Sequence, residues 1–207
     1  MQTLLDYDIA FFRALNGAAG HHAALDAAMV ACASFAPLLF ALLLVALWLA
    51  WRPRWQRGAF LAGAAALVAL GLGQVIGRLL PRLRPYEALP DARLLVPHSP
   101  DTSFPSDHAT LAFAVTVALW RVDRRLGVAS LLLSLWLAVA RVYIGAHYPS
   151  DVLGGAVLGA GVSAIVLVLA DRAPLHGLLD RLFALLRGMR LAAPPSTPNA
   201  TLGARVG

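Results

Sequence analysis

The chain alternates long apolar runs with short polar segments rich in arginine, and few folds accommodate that pattern. A helix needs about 20 mostly apolar residues to cross the hydrocarbon of a bilayer. Five stretches qualify: Leu25 to Trp51, Gly58 to Leu80, Asp107 to Trp120, Gly127 to Ile144 and Val152 to Ala170. The third is short enough to begin or end in the interface. Ahead of them, Leu4 to Leu15 mixes apolar residues with Asp6, Asp8 and Arg13, which suits a helix lying on the membrane surface. Hydrophobic residues make up 59% of the chain and charged residues 14%, against about 25% charged in soluble domains. The expected fold is all-α, a polytopic membrane bundle of about five transmembrane helices with an N-terminal interfacial helix. Three parts are expected: an interfacial helix and turn over residues 1–24, a transmembrane domain over 25–171, and a cytoplasmic amphipathic segment and tail over 172–207.

Charge orients the bundle. The formal net charge is +6 and all 17 basic residues are Arg. Arginine at the ends of apolar runs orients helices, so the basic balance does not imply a nucleic-acid partner. Arg52, Arg54 and Arg57 follow the first run, Arg121, Arg124 and Arg125 the third, and Arg172, Arg181, Arg187 and Arg190 the fifth. The positive-inside rule makes those regions cytoplasmic and places the N-terminus and the loops after runs two and four outside. The outer segments nevertheless contain Arg78, Arg82, Arg84, Arg93 and Arg141; the orientation then requires that these arginines bind an anionic ligand. With Asp6 and Asp8 near the start and no basic leader, a cleaved signal peptide is not expected. Leu175 to Leu191 suits the anionic inner leaflet, and after Ala193 the Pro-Pro-Ser-Thr-Pro-Asn composition predicts a disordered tail. Gly155 and Gly159 predict close helix packing, and the single Cys32 a buried, inert thiol.

Three polar clusters fall on the outer side: Arg84-Pro85, Pro105-Ser106-Asp107-His108, and Arg141 through His147 to Asp151. His147 and Asp151 are four apart across Pro149, so one helical turn brings a carboxylate toward an imidazole. A carboxylate on one ring nitrogen leaves the other as a nucleophile or base; a satisfied interfacial pair fits the same spacing. The second cluster opens a helix, whose first N–H groups and dipole attract anions, with Ser106 as an added donor. A plain Ser or Asp cap would account for Ser106 and Asp107 but not for His108, which can protonate a leaving oxygen. Arg84 and Arg141 match phosphate oxygens with bidentate forks, and two such forks stabilise a phosphoryl transition state without a metal. Taken singly, each also fits a snorkelling arginine. On one face together with two histidines they point to catalysis, because ionisable clusters at membrane depth are costly unless they serve a site. No metal-ligand motif competes, so neither a metal nor another cofactor is expected. His21 and His22 suit a solvated turn, and His98 suits an outer-loop surface position.

These residues resemble the type-2 phosphatidic acid phosphatase superfamily, whose signatures are Lys-x6-Arg-Pro, Pro-Ser-Gly-His and Ser-Arg-x5-His-x3-Asp. The second and third match as Pro105-Ser106-Asp107-His108 and Ala140-Arg141-x5-His147-x3-Asp151. The wording Ser103 to Thr110 and Tyr143 to Asp151 is similar to the bacitracin-resistance type of undecaprenyl-diphosphate phosphatase, where Asp commonly replaces the Gly of the second signature. The likeness covers most of residues 8 to 171. It implies that His147 attacks phosphorus to form a phosphohistidine, that Asp151 orients it and that His108 protonates the departing lipid phosphate. Arg84, Ser106 and Arg141 would hold the phosphoryl oxygens, with Asp107 beside them. The first signature departs from the family: seven before Arg84 stands Gly77, not Lys. Arg78, one place later, is the expected replacement cation, with Arg82 as second candidate. The implied activity is hydrolysis of undecaprenyl diphosphate on the outer face of the bacterial cytoplasmic membrane, recycling the carrier for wall polymers. Its partners would be a polyprenyl or other lipid phosphate and the bilayer. Alternatives are a phosphatase or phosphotransferase for phosphatidic acid or phosphatidylglycerol phosphate, and a non-catalytic lipid-phosphate binder or flippase.

Overall fold

The computed structural model describes residues 2–50, 52–97, 101–172 and the single positions 177, 178, 181, 184 and 185. The chain divides into two compact units, Met1–Ala170 and Asp171–Gly207. Most of the second unit, including the expected amphipathic segment and tail, lies outside the described residues, as does His98.

Among the described residues of the first unit the regular elements are all helices: α1 (Gln2–Asn16), α2 (Ala23–Leu49), α3 (Pro53–Leu79), the single turn α4 (Pro85–Ala88), α5 (Asp107–Val122), α6 (Arg124–Tyr143) and α7 (Pro149–Ala170). Local chemistry sets several boundaries. Pro53 and Pro85 occupy the first turns of α3 and α4, where a missing N–H costs nothing. Asp123 ends α5 and caps α6, its carboxylate accepting from the Arg125 and Leu126 backbone N–H groups at 2.8 and 3.3 Å. Four helices, α2, α3, α6 and α7, are long and apolar enough to cross a membrane. The third expected span is α5, and its 16 residues reach only about 24 Å at 1.5 Å per residue. It tolerates that length because α3, α6 and α7 surround it. With protein on its flanks, α5 need not match the hydrocarbon thickness.

Small residues allow this enclosure. Lipid tails are as apolar as leucine, so membrane helices associate through close packing. The face that α3 buries includes Ala59, Ala62, Ala65, Ala66, Ala69, Gly73 and Gly77, and that of α5 includes Ala109, Ala112, Ala114 and Ala118. On α7, a Cβ at Gly155 would lie 2.5 Å from the Ser106 carbonyl oxygen, and one at Gly159 2.1 Å from that of Thr110. Only glycine permits α7 to lie this near α5. Inside the bundle, the Thr116 and Ser134 hydroxyls join α5 to α6 at 2.8 Å.

One end of the bundle gathers the starts of α5 and α7, the ends of α3 and α6, and α1. The N-terminal helix does more than lie on a surface. Phe12 is buried with Ala109, Val142, Tyr148 and Val152, and the Asn16 amide donates to the Arg93 and Tyr143 carbonyls, both at 2.8 Å. At the other end, Arg57 donates to the Ala170 carbonyl at 3.1 Å and Arg54 approaches Asp123 at 3.7 Å.

Candidate active site

Backbone bonds at the helix-gathering end stitch the three polar clusters together. Ser103 N–H donates to the Arg82 carbonyl at 2.8 Å, and Ser106 N–H to the Asp151 carbonyl at 3.0 Å. The turn carrying His147 leaves α6 through Gly145, at φ +85°, where a Cβ would meet the Arg93 carbonyl oxygen at 2.3 Å. Glycine alone takes that conformation without strain and fits that gap.

A polar chamber of about 90 Å³ results, lined by residues that include Gln74, Arg84, Asp101, His108, Arg141 and His147. Its size admits a phosphoryl headgroup and excludes the hydrocarbon body of a lipid. Of the residues singled out in the sequence, Arg84, Asp107, His108, Arg141 and His147 face this chamber. Asp151 is fully buried beneath it. Ser106 is also fully buried, at the N-cap of α5, and its hydroxyl has no hydrogen-bond partner. Arg78 is exposed on the last turn of α3, one turn beyond Gln74, and is not among the lining residues.

The imidazole of His147 is held in one tautomer. Its Nδ1 lies 2.8 Å from the Ser103 carbonyl oxygen, which can only accept, so Nδ1 carries the proton and Nε2 the lone pair. The spacing of His147 and Asp151 suggested that the carboxylate would do this directly. Instead Asp151 Oδ2 stands 3.9 Å from Nδ1, too far for a hydrogen bond. That oxygen accepts from the Ser103 hydroxyl and, at 2.9 Å, from Tyr148 N–H. Ser103 therefore bridges acid and imidazole, its hydroxyl donating to one and its carbonyl accepting from the other. Burial is the main force pushing the His147 pKa down to about 4; Arg141 and Arg84 add to it, and Asp151 opposes it.

Arg84 sits over the same ring, Nη1 at 3.1 Å from Nε2, and donates to the Ala146 carbonyl at 2.8 Å. Its Nε donates to Asp101 at 2.6 Å. Asp107 accepts from the Gln74 amide at 2.9 Å. Arg82, the second candidate for the missing cation, turns away from the chamber and binds Asp151 and Asp8 at 2.6 and 2.7 Å. Gly77 explains why no lysine stands at the family position: a Cβ there would be 2.7 Å from Thr102 Cγ2 and 3.1 Å from the Phe104 carbonyl oxygen. A long side chain would displace the loop that carries Ser103. Among the described residues, no group of three or more His, Cys, Asp or Glu is arranged to hold a metal ion.

Gln74, Asp101, Ser103 and Asp8 are the participants that motif reading missed. Gln74 had a visible signal, an amide inside an apolar run. Ser103 acts partly through its carbonyl, which no residue pattern encodes.

Helices enclosing a polar chamber with two arginines and two histidines at one end define a phosphatase-type site in a multi-pass membrane protein. Residues 58–174 match the PAP2 superfamily model, and the chain belongs to that family: it is a membrane lipid phosphatase. Undecaprenyl-diphosphatase BcrC of Bacillus subtilis is 33% identical over 154 residues, covering 74% of this chain and 78% of that protein. A decaprenylphosphoryl-5-phosphoribose phosphatase of Mycobacterium tuberculosis is 40% identical over 115 residues, 55% of this chain and 62% of its own. The crystal structure of Aquifex aeolicus LpxE superposes with a TM-score of 0.67 at 26% identity, covering 77% of this chain and 93% of that one.

Proposed function

We propose that the chain hydrolyses undecaprenyl diphosphate to undecaprenyl phosphate through a phosphohistidine, with no metal, on the extracytoplasmic side of the bacterial cytoplasmic membrane. The observation that carries this reading is the convergence of an imidazole unprotonated at Nε2, a second histidine and two arginines on one small chamber. His147 Nε2 attacks the terminal phosphorus. The bond from phosphorus to the bridging oxygen breaks, and His108 gives that oxygen its proton. Water, losing a proton to His108, then attacks the phosphohistidine, and inorganic phosphate leaves with His147 restored. Arg84 and Arg141 carry the charge that builds on the equatorial oxygens, and the partnerless Ser106 hydroxyl at the start of α5 donates a further bond. Asp107, tied to Gln74, lines the entrance, and Arg78, one turn above Gln74, offers a cation at the mouth.

Support for the polyprenyl substrate comes from the identity to BcrC. A second reading, another isoprenoid lipid phosphate, is favoured by the identity to the decaprenylphosphoryl-5-phosphoribose phosphatase, and the shared signatures also fit a glycerolipid phosphate. To separate them, purified protein is given undecaprenyl diphosphate, phosphatidic acid and phosphatidylglycerol phosphate with chelator present. Phosphate release fastest from the isoprenoid is expected. A preference for either glycerolipid would overturn the substrate assignment, and arrest by chelator would overturn metal independence.

A further inference from the structure

Below the chamber, a half-buried to fully buried chain of charged groups links the N-terminal helix to the carboxylate beneath His147. Arg82 donates from Nη1 to Asp151 Oδ1 at 2.6 Å and from Nη2 to Asp8 Oδ2 at 2.7 Å. Ser150 closes the ring: its N–H donates to Asp8 Oδ1 at 2.9 Å, its hydroxyl donates to Asp8 Oδ2 and accepts from Arg82 Nη1 at 2.7 Å. The guanidinium also lies 4.0 Å over the Tyr148 ring. Asp8 is 9% exposed and Asp151 0%, so both carboxylates depend on Arg82 for the solvation they have lost.

Docking α1 does not require this arrangement. Phe12 fills an apolar site, Asn16 ties two backbone carbonyls, and Arg13 pairs with Asp91 at the surface at 2.7 Å. A buried triad of two acids and one arginine is a costly way to fasten a helix already fastened. Its far end, moreover, is the one acid that touches the His147 support through Ser103.

We propose that Asp8 and Arg82 are positioning residues for the reaction: they fix the Asp151 carboxylate, which fixes Ser103, whose carbonyl in turn aims His147 Nε2 into the chamber. The N-terminal helix thereby belongs to the catalytic device. Arg82 serves the protein's own carboxylates and not the phosphoryl group. Asp8 divides the attraction of the guanidinium; without it, Arg82 draws wholly on Asp151 and the carboxylate shifts. This inference rests on the reading of His147 as nucleophile.

The test measures kcat and KM for undecaprenyl diphosphate with the purified full chain, its fold checked by thermal unfolding. Asp8→Asn and Arg82→Gln should each lower kcat about 10- to 100-fold, the scale of a misaligned reacting group, with KM nearly unchanged. Because both act through one chain, the double variant should be no slower than the slower single. Arg82→Lys should not restore the rate, since one ammonium cannot bridge two carboxylates as the fork does; with Asp8→Asn it carries the test if Arg82→Gln does not fold. Arg13→Gln, which breaks only the surface pair of α1, should keep the parental kcat. Parental kcat in Asp8→Asn, a double variant slowed by the product of the single effects, or an equal loss in Arg13→Gln would each overturn the proposal. An inactive parent, or a fully active His147→Ala, would instead sink the phosphohistidine reading; an active parent with inert His147→Ala and undiminished Asp8→Asn would sink the positioning chain alone.

Discussion

His147 combines two properties that a nucleophile needs and rarely has together: it is 2% exposed, yet its Nε2 lone pair meets a chamber. Because burial, with Arg141 and Arg84, lowers its pKa from 6.5 to about 4, the ring stays neutral as pH falls through the usual histidine range. Labelled-histidine NMR of the substrate-free protein should show Nδ1 protonated and Nε2 bare down to about pH 4; a midpoint near 6.5 would contradict the burial argument. The same lowered pKa means that the unfolded chain binds the extra proton first, so this residue's contribution to stability falls between pH 6.5 and about 4. Asp101 acts oppositely to the arginines. It is half-exposed and holds Arg84 Nε at 2.6 Å, so an incoming phosphate must displace a carboxylate. Asp101→Asn should strengthen inhibition by inorganic phosphate, because the buried Arg84 fork loses its competing carboxylate; unchanged or weaker inhibition would show that Asp101 does not compete. That Arg84, His108, Arg141 and His147 would share one chamber was legible in the sequence, because that grouping lies in side-chain type and spacing. Ser103 was not, because its contribution to His147 is a carbonyl aimed by the loop, and Asp8 was not, because it lies 143 positions before Asp151 and only the packed bundle joins them.

Helix packing explains which substitutions this site can accept. At Gly159 an added Cβ meets backbone on α5, which cannot rotate away; Gly159→Ala should cost about 1–3 kcal/mol, the usual range for overpacking, seen as a lower melting temperature in detergent. Gly161, where nothing lies within 4 Å of a Cβ, should accept alanine freely. Gly77→Lys restores the family's residue type, yet it should lower activity, because the side chain meets Thr102 and the Phe104 carbonyl. A gain in rate would contradict the account of why glycine stands there. Arg78→Ala should raise KM if that exposed residue supplies the cation at the mouth, and an unchanged KM would remove it from the site. Sequence reading placed every long helix, since apolar runs translate directly into spans. It left the ends of α5 open, because a run of small residues does not announce that three neighbours will enclose it.

At the scale of the whole molecule, the two ends of the bundle differ in how their arginines are used. At the chamber end Arg13, Arg82 and Arg84 pair with Asp91, Asp8, Asp151 and Asp101, so their charge is largely neutralised locally. At the other end Arg52 and Arg54 lie against the Trp55 ring, and Arg54 shares Asp123 with the start of α6. In a background with Cys32 replaced by alanine, a cysteine at exposed Leu83 should react with an impermeant thiol reagent on intact cells, and one at Arg124 should not. The reverse pattern would place the chamber in the cytoplasm. We propose that His147 itself takes the phosphoryl group. Rapid quench of the purified protein with undecaprenyl diphosphate radiolabelled at the terminal phosphate measures it directly. An acid-labile, alkali-stable label on the chain, absent with phosphate release in His147→Ala, is the expected result; turnover that continues in His147→Ala would contradict it.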